Sequence, residues 1–151
     1  MRQEKEQEMN SIAIDGPAGA GKSTIAKALS KKLGFVYIDT GAMYRAVALF
    51  FLENGIKESD DERIDKLLAD LDISIKYVDG EQRVFLNGTD VSDKLRQEEI
   101  GKLASKFSAV KSVREKLVAL QRKLAKMENV VMDGRDIGTV VLPNADLKIY
   151  L

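Results

Sequence analysis

Eight consecutive residues, Gly16-Pro17-Ala18-Gly19-Ala20-Gly21-Lys22-Ser23, match the pattern G-x-x-x-x-G-K-[ST] in full. Each residue type has a reason to be there. Glycines let a backbone fold its N–H groups around a phosphate without a Cβ in the way. A helix that starts at the end of such a loop points its positive end at the same anion. A lysine there can bridge the outer phosphates of a nucleotide, and a serine hydroxyl can ligate Mg²⁺. The alternative is a Gly-rich turn beside an exposed lysine. The flanking sequence, a short apolar run before the loop and a helical pattern after it, is the context that the phosphate-binding reading requires.

Two further clusters could bind anions. Asp39-Thr40-Gly41-Ala42-Met43-Tyr44-Arg45 follows a second apolar run and opens a helical pattern. Thr40 suits a helix N-cap, and Arg45 is either a phosphate clamp or a solvated helix charge. Asp133-Gly134-Arg135-Asp136 follows the apolar Val130-Val131-Met132. Asp133 is the candidate acid beside a Mg²⁺, and Arg135 could hold an acceptor phosphate by a bidentate fork. A structural ion pair is the competing reading for both. Gly41 and Gly88 read as turn residues.

The chain contains no histidine and no cysteine. A phosphohistidine intermediate, a histidine base, disulfides and thiol chemistry are therefore excluded. Lys+Arg and Asp+Glu both number 24, so zero net charge gives no long-range pull toward nucleic acid or an anionic membrane. The longest purely apolar run, Ala46–Leu52, is too short to span a bilayer. The charged stretch Arg2–Glu8 has no apolar core of a signal peptide and reads as a solvated tail.

Alternating strand and helix patterns must position these residues. Ser11–Asp15 and Phe35–Ile38 read as buried strands. Ile25, Leu29 and Leu33 mark a helix stopped by Gly34, and Ala42–Asn54 a helix closed by Gly55. Such alternation predicts a parallel sheet covered on both faces, with ligands at the C-terminal ends of its strands. The middle breaks the rhythm. Asp61–Leu71 looks helical, and Ile73–Val78 and Arg83–Leu86 flank the hairpin signal Asp79-Gly80. The β-part of an inserted subdomain is expected from about Leu71 to Val91, and two helices after it. In the second, Val113, Leu117, Leu120 and Leu124 share a face. Asn129–Asp133 and Asp146–Leu151 resume the parallel strands. The expected organisation is a tail over 1–10, a core over 11–60, an insertion over 61–128 and core again over 129–151.

These segments together resemble the bacterial cytidylate kinase family. The resemblance rests on IDGPAGAGKST, on DTGAMYR, on LASKFSAVKSVRE inside the long insertion, and on MDGRDIGTVVLPNADLKIYL. It runs from Ser11 to Leu151 in family order. It implies an α/β, three-layer P-loop fold like that of adenylate kinase, with a parallel core sheet. The inserted monophosphate-binding subdomain would carry a small antiparallel sheet. It also implies ATP with Mg²⁺ as donor and CMP or dCMP as acceptor, in a cytoplasmic protein. No nucleic-acid or membrane partner is expected, and the protein is expected to be a monomer.

Carried to matching positions, the resemblance puts ATP on Gly16, Pro17, Ala18, Gly19, Ala20, Gly21, Lys22, Ser23 and Thr24. Ser23 would also meet the metal. Thr40, Arg45, Ser105, Arg114, Arg135 and Asp136 would bind the acceptor, and Lys22, Arg135 and Asp133 would be catalytic. By sequence alone, Ser105 and Arg114 read as helix-surface residues. Chains of that family continue beyond the DLKIYL strand, into a mobile lid with its arginines. These 151 residues are therefore expected to bind nucleotide weakly and turn over poorly. Two other readings stay open: a nucleotide-binding piece with little activity, and a P-loop kinase for another small acceptor such as shikimate.

Overall fold

The structure, a computed structural model, describes residues 8–151. The tail expected over 1–10 lies outside the described residues as far as position 7. Asn10 already belongs to the fold, its N–H donating to Asn129 Oδ1 at 2.7 Å. The elements in chain order are β1 (Ser11–Asp15), α1 (Lys22–Leu33), β2 (Val36–Asp39), α2 (Thr40–Glu53), α3 (Asp61–Ala69), β3 (Ile73–Val78), β4 (Glu81–Leu86) and β5 (Thr89–Asp90). A 3-10 turn (Lys94–Arg96), α4 (Glu98–Phe107), α5 (Lys111–Met127), β6 (Val130–Gly134), a π-helical turn (Ile137–Val141) and β7 (Leu147–Tyr150) complete the chain. No helix among the described residues is long and apolar enough to cross a membrane. The chain divides into two compact units, one formed by residues up to Asp39 with Gln121–Leu151, the other by Thr40–Leu120.

The first unit is built on a four-stranded sheet in the order β2-β6-β1-β7, with every pairing parallel. The α/β fold with a parallel sheet is thus as the sequence predicts. β1 and β6 are central and buried on both faces, which explains their unbroken apolar runs. Ile12, Ile14, Tyr37 and Val131 meet Ala26 of α1 in one core cluster, with Leu29 and Phe35 packed against it.

α1 buries a different stripe from the one the leucine spacing suggests. Ala26 and Ser30 are buried, whereas Ile25 and Leu33 are 36% and 46% exposed. Small side chains let the helix lie close to the sheet, and the larger apolar residues flank the contact. Gly34 closes α1 in the left-handed conformation at φ 70°, as expected of a C-cap.

The second unit carries an antiparallel sheet in the order β3-β4-β5. Asp79 and Gly80 both have positive φ, 52° and 78°, the backbone that a two-residue hairpin turn demands. β5 has only two residues and no alternation of its own to reveal it. α2 packs on α4 and β4, and Phe51 meets Phe107 edge to face at 4.7 Å between ring centres. α2 starts at Thr40, directly after β2 and two residues ahead of the expected start. On α5 the buried positions are Val113, Leu117, Gln121 and Ala125, so the stripe includes one amide and leaves Leu120 and Leu124 half-buried.

Candidate active site

β1 delivers the chain to the Gly-rich loop. Asp15 ends the strand, and Gly16 turns with φ 155°. A Cβ there would lie 2.9 Å from the carbonyl oxygen of Leu151, so the crossing chain admits no side chain. Gly19 and Gly21 also have positive φ, 81° and 88°. Gly21 is the N-cap of α1 and offers no side-chain cap, and the first helical turn holds no acidic residue. Its leading amides therefore face the loop without a carboxylate or hydroxyl from the cap position, the arrangement that a phosphate can complete. The Lys22 ammonium reaches back over the loop and donates to Pro17 O at 3.1 Å. Ser23 and Thr24 follow, both exposed.

The neighbouring strand supplies the acid. In the parallel register Asp133 of β6 lies opposite Ile14 of β1 on one side and Asp39 of β2 on the other. Side chains alternate along a strand, so Asp133 shares the α1 face of the sheet with Val131 and Tyr37. It is 4% exposed, and its Oδ2 accepts the Tyr37 hydroxyl at 2.8 Å. Burial, reinforced by the charge of Asp39, pushes this carboxyl up from 3.8 to about 6. The Tyr37 hydrogen bond and the charges of Lys22 and Lys27 oppose the rise without cancelling it. The structure thus brings Lys22 and Asp133 within electrostatic reach of each other.

These donors suit Mg²⁺. The Ser23 hydroxyl and Asp133 carboxylate are hard oxygen ligands, and Asp133 carries a charge that its surroundings undercompensate. Among the described residues no cluster of three or more acidic, His or Cys ligands exists. Mg²⁺ at kinase sites keeps waters and phosphate oxygens and takes only one or two protein ligands.

Beyond β6 the chain exposes Arg135 and Asp136 before entering the π-helical turn. The other four expected acceptor residues lie in the second unit. Thr40 is buried as the first residue of α2, and Arg45 is exposed further along that helix. Ser105 is exposed on α4, its hydroxyl donating to Gly101 O at 3.3 Å one turn back. Arg114 is exposed on α5.

Three residues at this end of the sheet escaped the sequence reading: Tyr37, Asp39 as a charge acting on Asp133, and Asp15. Asp15 points to the opposite face from Asp133, and its two oxygens accept the N–H groups of Ile137 at 2.7 Å and Gly138 at 2.8 Å. A signal was available. β1, β2 and β6 each bring an Asp to their C-terminal end, followed by Gly or Thr, as Asp15-Gly16, Asp39-Thr40 and Asp133-Gly134.

A family model described as cytidylate kinase matches residues 12–151. The chain belongs to that family. It is 59% identical over 140 residues to a cytidylate kinase of Caldicellulosiruptor bescii, covering 93% of this chain and 62% of that protein. Against the cytidylate kinase of Lactobacillus johnsonii it is 52% identical over 140 residues, 93% of this chain and 61% of the relative. The enzyme of the same description from Fusobacterium nucleatum is 51% identical, with coverage of 93% and 62%. The chain thus spans about 62% of the length of the curated relatives it matches.

Proposed function

We propose that this chain carries the donor and acceptor sites of a kinase that moves the γ-phosphoryl group of ATP to CMP or dCMP, giving ADP and CDP or dCDP. The observation that carries the reading is the arrangement at the end of β1. A glycine loop with three positive-φ residues opens an uncapped helix, its lysine lies over the loop, and a buried carboxylate stands on the adjacent strand. Membership of the cytidylate kinase family supports the choice of acceptor.

In this reading the amides of Gly16 to Thr24 hold the triphosphate, and Lys22 moves from Pro17 O to the outer phosphates. Ser23 and Asp133 would hold Mg²⁺, which supplies charge neutralisation on the transferred group. The acceptor phosphate is anionic at neutral pH, so its oxygen needs no strong general base, and the lack of histidine is no obstacle. That oxygen forms the new bond to the γ-phosphorus in line with the breaking bond to the β,γ-bridging oxygen. Catalysis is then positioning plus electrostatic stabilisation by Lys22 and Arg135.

Arg45 and Arg135 would clamp the acceptor phosphate, and Thr40 would also bind the acceptor. Cytosine presents a donor at its amino group and acceptors at N3 and O2. Asp136 and the Ser105 hydroxyl suit the amino group, and Arg114 suits the ring acceptors. Uracil would set an oxygen against the Asp136 carboxylate, and an unpaired polar contact of that kind discriminates strongly. The protein would work in the cytoplasm as a monomer, without nucleic-acid or membrane partners.

The test is a transfer assay with ATP and a panel of acceptors, run on wild type and Asp136→Ala. CMP or dCMP should be preferred, and Asp136→Ala should lower the cytosine-over-uracil preference by about tenfold or more. A selectivity left intact by that substitution removes Asp136 from base recognition. Nucleotide binding without transfer would assign this chain binding alone.

A further inference from the structure

The π-helical turn Ile137–Val141 is held at both ends by side chains of opposite charge. At its start the Asp15 carboxylate takes two N–H groups, from Ile137 at 2.7 Å and Gly138 at 2.8 Å. At its end the guanidinium of Arg122, on α5, donates to Val140 O at 2.6 Å and to Val141 O at 3.0 Å. All four bonds are charge-assisted, the stronger class of hydrogen bond. Gly138 is part of the fit: a Cβ there would lie 3.3 Å from Asp15 Oδ2 and 3.2 Å from Lys148 Cδ.

What the turn fixes is Asp136. The carbonyl of Asp136 accepts Val140 N–H at 2.9 Å and Val141 N–H at 3.3 Å, so its peptide is the first acceptor of the turn. Asp136 and Arg135 are themselves exposed, and among the described residues no side-chain hydrogen bond or ion pair ties them down. Their placement therefore depends on the backbone that follows. A π-helical turn is rare and is found often at functional sites. Here it is paid for by a carboxylate on β1 and a guanidinium on α5.

We propose that Asp15 and Arg122 are positioning residues for acceptor recognition, acting through the π-helical turn to set Arg135 and Asp136. The inference rests on the reading of Arg135 and Asp136 as acceptor-binding residues. Asp15 has a second task. It directly precedes Gly16, and its carbonyl accepts Leu151 N–H at 2.9 Å, so one residue orders the entry to the phosphate loop and the anchor of the acceptor segment. The two hydrogen bonds of Arg122 both go to the π-helical turn and neither to the phosphate loop, and this makes it the sharper probe.

The experiment is calorimetric titration of CMP, UMP and Mg·ATP into wild type, Arg122→Met, Arg122→Lys and Asp136→Ala, with melting temperatures alongside. Arg122→Met keeps the apolar stem and removes the donors. It should weaken CMP binding about tenfold and lower the CMP-over-UMP ratio, with Mg·ATP affinity unchanged. Arg122→Lys, with one compact donor group for two carbonyls, should fall between wild type and Arg122→Met. Asp15→Asn should shift the same ratio, and slower amide exchange at Ile137 and Gly138 in wild type than in this variant would report the lost anchor directly. The inference is overturned if Arg122→Met lowers the melting temperature and leaves the CMP-over-UMP ratio alone. A wild type that does not distinguish CMP from UMP, or an Asp136→Ala that leaves the ratio unchanged, overturns the acceptor reading instead and this inference with it.

Discussion

The hydroxyl of Tyr37 on β2 donates to the carboxylate of Asp133 on the adjacent strand β6 at 2.8 Å, both side chains being buried. That bond stabilises the ionised acid, yet burial and the charge of Asp39 outweigh it and hold Asp133 at about 6. Between about pH 4 and 6 the folded chain keeps a proton that the unfolded chain has released. Stability from this group therefore falls as pH rises through that window, and the whole cost is present above it. Asp133→Asn should accordingly stabilise the fold at pH 8 by on the order of 2 kcal/mol, seen as a higher melting temperature, and change little at pH 4. Thermal denaturation of both proteins at the two pH values checks this. An equal effect at both would mean that ionisation of Asp133 is not the cause.

Tyr37→Phe tests the same pair from the other side. The hydroxyl favours the ionised carboxylate, so its loss should push Asp133 further up. A bond to a charged acceptor contributes about 1.5–3 kcal/mol, one to a neutral carboxyl about 1 kcal/mol. The variant should therefore be destabilised more at pH 8 than at pH 4, opposite in sign to Asp133→Asn at the higher pH. Denaturant titrations at both pH values would show it. A pH-independent loss would reduce Tyr37 to a packing residue.

Motif and periodicity made the core of the first unit legible. Gly16 to Ser23 fixed the loop, Gly34 the end of α1, and the apolar runs β1 and β6. The hairpin followed from Asp79-Gly80, whose backbone few other pairs adopt. The π-helical turn was illegible because it follows no period. It is held by Asp15 and Arg122, which lie 122–123 and 18–19 residues from their partners in sequence. Apolar spacing marks the helix α1 but not its buried stripe, because close packing on a sheet favours Ala26 and Ser30. The role of Tyr37 depends on strand register, which brings it beside Val131 and one pleat from Asp133. No local pattern in the sequence carries that register.

Gly16 and Gly34 make different demands. Gly34 has φ 70° and open space where a Cβ would go, so Gly34→Ala meets only the backbone cost of the left-handed conformation, about 1–2 kcal/mol. Gly16 has φ 155° and Leu151 O at 2.9 Å from that Cβ, so Gly16→Ala adds a collision with backbone that must shift. Gly16→Ala should cost at least about 1 kcal/mol more than Gly34→Ala in denaturant titrations. Equal losses would show that the crossing at Leu151 yields freely.

Lys22 separates binding from folding. Its ammonium rests on Pro17 O at 3.1 Å at the loop surface, a weak tether in a solvated place. Lys22→Met keeps the length of the stem, so the helix start and the loop glycines should hold their geometry. The charge of Lys22 also lowers the carboxyl of Asp133, so its removal should move that group further up. At pH 5, where Asp133 is already mostly protonated, the melting temperature should barely change. At pH 8 the unopposed carboxylate should make the variant modestly less stable. Mg·ATP affinity should fall by roughly ten- to a hundredfold, the loss of one or more charge-assisted bonds to phosphate. Calorimetric titration at pH 8 with the melting curves at both pH values separates the two effects. Unchanged Mg·ATP affinity in a folded Lys22→Met protein would take the ammonium out of the donor site and leave the loop amides to hold the phosphates alone.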